Sequence, residues 1–213
     1  SISQPSRALH DFQTLGFNAD EEDRRVIDGM LKWTGAGTGD QINYRFAQTG
    51  RTERNRQNHL YPEGVFPFAH QVLTDHLSGK VAGRSTLCAE SNTCAKIFEV
   101  NSSNEYWVKT GSLLHSDTRG QDIEDPDDVR FFLISGTSHG VGNVASRGLC
   151  QQFLNPISPY PALRGLFVAL DRWVADKVEP PSSRVPRQIE GTAVMAQSIS
   201  GSLTGTVPQE VLG

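Results

Sequence analysis

Short apolar runs alternate along this chain with stretches rich in Gly, Asn, Asp and Ser, and each run predicts an element. Residues 4–15 put Leu9, Phe12 and Leu15 on one helical face, with Pro5 acceptable in the first turn and Gly16 placed to end the helix. Arg25 to Leu31 is an apolar run of strand length, followed by a Gly-rich loop through Gly39. A helical segment from Gly83 to about Ser91 leads to a strand, Lys96 to Val100, and a second helix from about Asn104 to Leu114. After the acidic loop Asp122 to Asp128, Val129 to Ile134 is apolar on both faces, as in a central parallel strand. From Tyr160 to Val178, Leu163, Leu166, Phe167, Leu170, Trp173 and Val174 recur on one helical face, and Pro180 and Pro181 stop it. Strands alternating with helices predict an α/β layer built on a mainly parallel sheet.

One long stretch breaks the rhythm. From about 40 to 80 the sequence is polar and aromatic with Gly and Pro, and loops of that length inside a domain are usually functional. We expect a lid or pocket wall, with Tyr44, Phe46, Tyr61, Phe66 and Phe68 as its lining or, equally, as a satellite core.

Composition narrows the function classes. At 37% hydrophobic and 21% charged, the 213 residues describe one ordinary globular domain with a sizeable core. A net charge of −4 and a pI near 5.8 argue against a nucleic-acid or anionic-membrane surface. The arginines of 51–56 are interleaved with Glu53 and read as a solvated loop. No run approaches the roughly 20 apolar residues of a membrane helix. The row starts at Ser1 without Met and stops at Gly213 without a clear element end. That predicts a partial domain open at both ends, 187–213 being a C-terminal extension. Cys88 and Cys94 have the spacing of a small disulfide loop and match no zinc pattern; a bridge would imply an oxidising compartment.

The chemistry begins at the strongest strand. His139 lies just past its C-terminal end, where parallel sheets bind ligands, and suits a general base. A backbone-satisfied loop histidine is the alternative. Ser1-Ile2-Ser3-Gln4-Pro5 has a small residue two before Ser3 and a helix behind it, the form of a strand-to-helix nucleophile turn. Ser6 as a plain helix cap competes with that reading. Hydrolases of this design present Ser, acid and His in that chain order. Glu105, just after the strand preceding the His139 strand, is the chosen acid; Asp117, Asp122 and Asp127 are alternatives, and a surface cap is the bland role for Glu105. The backbone N–H of Gln4 would then be one oxyanion donor.

Several segments together resemble the "alpha/beta hydrolase domain" family of bacterial proteins. They include Ser3-Gln4-Pro5-Ser6-Arg7, Val26-Ile27-Asp28-Gly29, Asn43-Tyr44-Arg45-Phe46, His59-Leu60-Tyr61-Pro62, Ser102-Ser103-Asn104-Glu105-Tyr106-Trp107 and Ser138-His139-Gly140. The likeness runs from Ser1 to about Gly191 and implies the C-terminal portion of an α/β-hydrolase fold. The family's turn is usually Gly-x-Ser-Gln-Ser-Gly-Arg, from which this chain departs at Ser1, Pro5 and Ser6. The expected function is therefore cleavage of a carboxylic ester or related acyl bond of a small molecule by a Ser3–His139–Glu105 triad through an acyl-enzyme. The competing hypothesis is an inactive hydrolase fold that binds or scaffolds. No cofactor is expected. His10, His59, His70, His76 and His115 lack zinc-ligand spacing, although His70 and His76 flank Asp75.

Overall fold

The computed structural model describes residues 1–40, 64–148 and 151–194. Its elements in chain order are helix α1 (Gln4–Thr14), strand β1 (Gly29–Trp33), the short strands β2 (Leu73–Thr74) and β3 (Val81–Ala82), and helix α2 (Thr86–Glu90). Strand β4 (Lys96–Ser102), helix α3 (Ser103–Val108), a 3-10 turn (Gly111–Leu114), strand β5 (Val129–Ile134) and helix α4 (Tyr160–Ala175) follow.

The strands β1, β4 and β5 form a parallel sheet in that order, with Met30 opposite Ile97 and Ile97 opposite Val129. Ser1 and Ile2 run beside β1 on its other side: the Trp33 N–H donates to Ser1 O at 3.0 Å and the Ser3 N–H to Trp33 O at 2.8 Å. Beyond β5, residues 183 and 184 continue the pairing through Leu133 N–H to Arg184 O, 2.9 Å. All C-terminal strand ends thus share one edge of the sheet.

Alternation along the strands sends side chains to two layers. Met30, Ile97, Val129 and Phe131 pack toward Leu9 and Phe12 of α1. Trp33, Phe98, Val100 and Phe132 pack toward Leu170 and Trp173 of α4, where the Phe98 and Trp173 rings stack at 5.8 Å. Helices on both faces of a parallel sheet is the predicted architecture.

Several local expectations need correction. The first strand begins at Gly29 rather than Arg25, because Asn18 captures the preceding residues. Its amide donates to Ile27 O at 3.0 Å and its carbonyl accepts the Ile27 N–H at 2.9 Å. Gly29 itself is required by close packing, since a Cβ there would lie 2.9 Å from Val174. The central strand is β4, not β5; it carries buried polar side chains, so apolarity was a poor guide to centrality. The helix expected over 104–114 breaks at Thr110, whose φ is +54° and whose carbonyl backs onto Gly37. Leu15 and Phe167 are exposed rather than part of the packed faces, Leu15 because the helix has ended. Within 64–80 the expected loop holds β2, which pairs antiparallel with β3. Cys88 and Cys94 are joined in a disulfide.

Candidate active site

Each expected catalytic residue sits at the C-terminal edge of the sheet. Ser3 stands at the N-cap of α1 with φ 59° and ψ −123°. This is a left-handed conformation costing a non-glycine residue of order 1–3 kcal/mol. A strained strand-to-helix turn of this kind lifts a hydroxyl off the sheet edge. Neighbouring contacts enforce it. The Ser3 N–H is fixed to Trp33 O, and the buried Ser6 hydroxyl donates to the same carbonyl at 3.1 Å. Ser6 is therefore a strut under the turn and not the helix cap. Pro5 lies in the first turn, where its missing N–H removes no helix bond. The N–H of Gln4 belongs to that same turn, whose amides have no intrahelical acceptor.

Thr34 (φ 56°) and Ala36 (φ 58°) follow β1 in the same unusual backbone region. The Ala36 N–H donates to Asn101 Oδ1 of β4 at 2.9 Å, and the Gly37 N–H to Lys109 O at 3.1 Å. With Ser3 and Thr110, four strained non-glycine residues gather at one edge. Strain concentrated like this marks functional sites.

Glu105 lies in the first turn of α3 with no exposed surface. Ser102 caps the helix by accepting the Asn104 N–H at 3.2 Å, and its hydroxyl donates to Glu105 Oε2. The Asn104 amide also reaches Oε1. The bland surface-cap role for Glu105 is thus replaced by a buried carboxylate held on both oxygens. Oε1 meets His139 Nδ1 at 2.5 Å. A carboxylate accepts, so the contact places a proton on Nδ1, and in the neutral tautomer Nε2 is the ring's acceptor. The His139 side chain is 43% exposed. Its loop is tied down by the Gly136 N–H to Ser103 Oγ, 3.0 Å, and by the Asn155 amide to Gly136 O, 2.6 Å.

The alternative acids are engaged elsewhere or placed in the acidic loop. Asp117 accepts the Arg119 and Gln121 N–H groups in a tight turn, Asp122 accepts the Ile189 N–H, and Asp127 lies before β5. Of the expected pocket residues, Phe66 is buried with its ring edge-on to Phe68 at 6.2 Å. Tyr44, Phe46, Tyr61 and His59 lie outside the described residues. The other histidines have protein partners: His70 bonds Glu99 and Ser85, His76 bonds Thr118, and His115 bonds Tyr106. Among the described residues no group of three or more His, Cys, Asp or Glu side chains is arranged to hold a metal ion.

Reading by sequence overlooked the parts that hold Glu105. The Ser102-x-x-Glu105 spacing is a capping-box signature and would have revealed them.

The model of a family described as "Alpha/beta hydrolase domain" matches residues 1–208. No curated protein and no solved structure matches the chain. With a parallel sheet between helices and a family match along nearly its whole length, the chain belongs to the alpha/beta hydrolase domain family and has its fold.

Proposed function

We propose that this hydrolase-family chain cleaves a carboxylic ester or related acyl bond of a small molecule through Ser3, His139 and Glu105. The observation that carries the reading is the 2.5 Å His139 Nδ1–Glu105 Oε1 contact, made at the same sheet edge as the strained turn at Ser3. Glu105 fixes the imidazole tautomer and stabilises the imidazolium. His139 Nε2 takes the Ser3 hydroxyl proton as Oγ attacks the carbonyl. The tetrahedral oxyanion is met by the Gln4 N–H at the positive end of α1. Collapse breaks the acyl–oxygen bond, and the leaving alkoxide receives the proton from His139. Water, deprotonated in turn by His139, then releases the acid and restores Ser3.

Phe66, buried against Phe68, is the proposed part of the acyl-pocket wall among the described residues.

In the intact protein, Ser3→Ala and His139→Ala should each lower p-nitrophenyl ester turnover to the uncatalysed background. Retained turnover in either variant would sink the triad. Failure of the parent to react with a fluorophosphonate probe at Ser3 would favour the inactive binding fold.

A further inference from the structure

Five ionisable side chains meet beneath α1, all but sealed from solvent. Glu99 comes from the middle strand β4, Lys32 from the directly opposed position of β1, and His10 from α1. His70 and Arg84 come from the chain that follows residue 63. Glu99 accepts from Lys32 Nζ at 3.0 Å, His10 Nε2 at 3.0 Å and His70 Nε2 at 3.1 Å. Lys32 also donates to Gln13 of α1. Burial works against ionisation of Glu99, but His10 and Lys32 hold its carboxyl well below the ordinary range. Burial, with Arg84, pushes His10 down to about 3.

Stability gives little reason to build such a cluster, because apolar residues of similar volume often serve as well or better. Directional bonds give fixed geometry instead. The bonds here run to the helix behind the proposed nucleophile and to the loop that leaves β1. His10 lies two helical turns past Ser3. Its Nδ1 lies 2.9 Å from Thr38 O, in the loop that leaves β1. Gly35 of that loop packs so closely that a Cβ there would sit 3.0 Å from Ser6 and 3.2 Å from His10. Arg84 donates to Gly37 O at 2.5 Å and to Pro67 O at 3.4 Å, one on each side of segment 41–63. Glu99 itself is on the strand that delivers Ser102 and Glu105.

We propose that Glu99, Lys32, His10, His70 and Arg84 form a positioning hub that sets α1, and hence the Ser3 hydroxyl, against the Glu105–His139 pair. This rests on the Ser3 triad reading above. None of the five touches the reacting atoms; they act through the helix and the β1 loop.

The test compares Ser3-dependent fluorophosphonate labelling and ester kcat across variants of the intact protein, well below each thermal midpoint. Lys32→Met with Glu99→Leu removes the opposed charge pair at similar volume and leaves Arg84 in place. We expect a midpoint near the parent's, an unchanged KM, and kcat and labelling rate down by about 10- to 100-fold, the cost of a small misplacement. His10→Leu keeps the Lys32–Glu99 pair and carries the same expectation if the double variant does not fold. His10→Gln, which retains an N–H for Glu99, should recover most of the lost rate. Variants that fold and label at the parent rate would overturn the hub and leave the triad standing. A parent without Ser3-dependent labelling would overturn both. Arg187→Met, which is not a member of the hub and removes the bonds to His115 O and Asp125, should lower the midpoint while leaving labelling unchanged.

Discussion

Glu105 shows how one side chain's role depends on partners that its own position in the sequence does not name. It is buried, and its carboxyl oxygens are met by the Ser102 hydroxyl, the Asn104 amide and His139. Glu105→Gln keeps the volume but presents an amide to His139, which favours the wrong imidazole tautomer. By analogy with the Asp→Asn change in a serine protease triad, we expect kcat to fall by roughly 10³- to 10⁴-fold with KM little changed. Steady-state kinetics on a p-nitrophenyl ester would check this, and a loss below tenfold would remove Glu105 from the triad. The placement of Ser3, Glu105 and His139 at one edge of the sheet was legible in the sequence because their chain order and their places after strands are local features. The +59° φ of Ser3 was not, since it comes from bonds to Trp33, thirty residues away.

At the scale of elements, spacing located the helices well but misjudged individual faces. On α4, Trp173 is sandwiched between Phe98 and the cationic ends of Lys96 and Arg130, whereas Phe167, counted on the same face, is exposed. Trp173→Ala should therefore cost about 3–5 kcal/mol of stability. Phe167→Ser should stay within about 0.5 kcal/mol. Urea unfolding midpoints of the two variants separate these outcomes, and equal losses would contradict the packing. The strand error at β1 has a different origin. Val26 and Ile27 have strand-like side chains, but Asn18 takes their backbone groups, so the sheet begins three residues later than Val26. The Cys88–Cys94 bridge closes a short loop beside α2, a restraint worth on the order of 2 kcal/mol through the unfolded chain.

The whole molecule inherits a pH dependence from its buried hub. In the unfolded chain a histidine takes a proton near pH 6.5. Burial lowers His10 to about 3 in the fold, and lowers His70 as well. Between those values the unfolded state binds more protons, so stability falls as pH falls through that window. Glu99, whose folded carboxyl titrates well below its ordinary value, adds to the loss below about pH 4.5. Thermal midpoints should drop from pH 7 to pH 4, and drop less in His10→Gln. An unchanged slope in that variant would show that the acid sensitivity lies elsewhere.

The sequence by itself determined the fold class, the helix behind Ser3 and the order of Ser3, Glu105 and His139. Those are written in side-chain periodicity and short motifs, which depend on neighbours a few residues apart. Only the tertiary structure decided that β4 is central, that Glu99 and Lys32 oppose each other, and that His10, His70 and Arg84 close around them. A lysine and a glutamate inside apolar strands look like flaws until the register places them face to face. Burial then turns them into a charge pair whose partners come from helices and loops far along the chain. No local pattern encodes that pairing, because register and burial are properties of the assembled sheet.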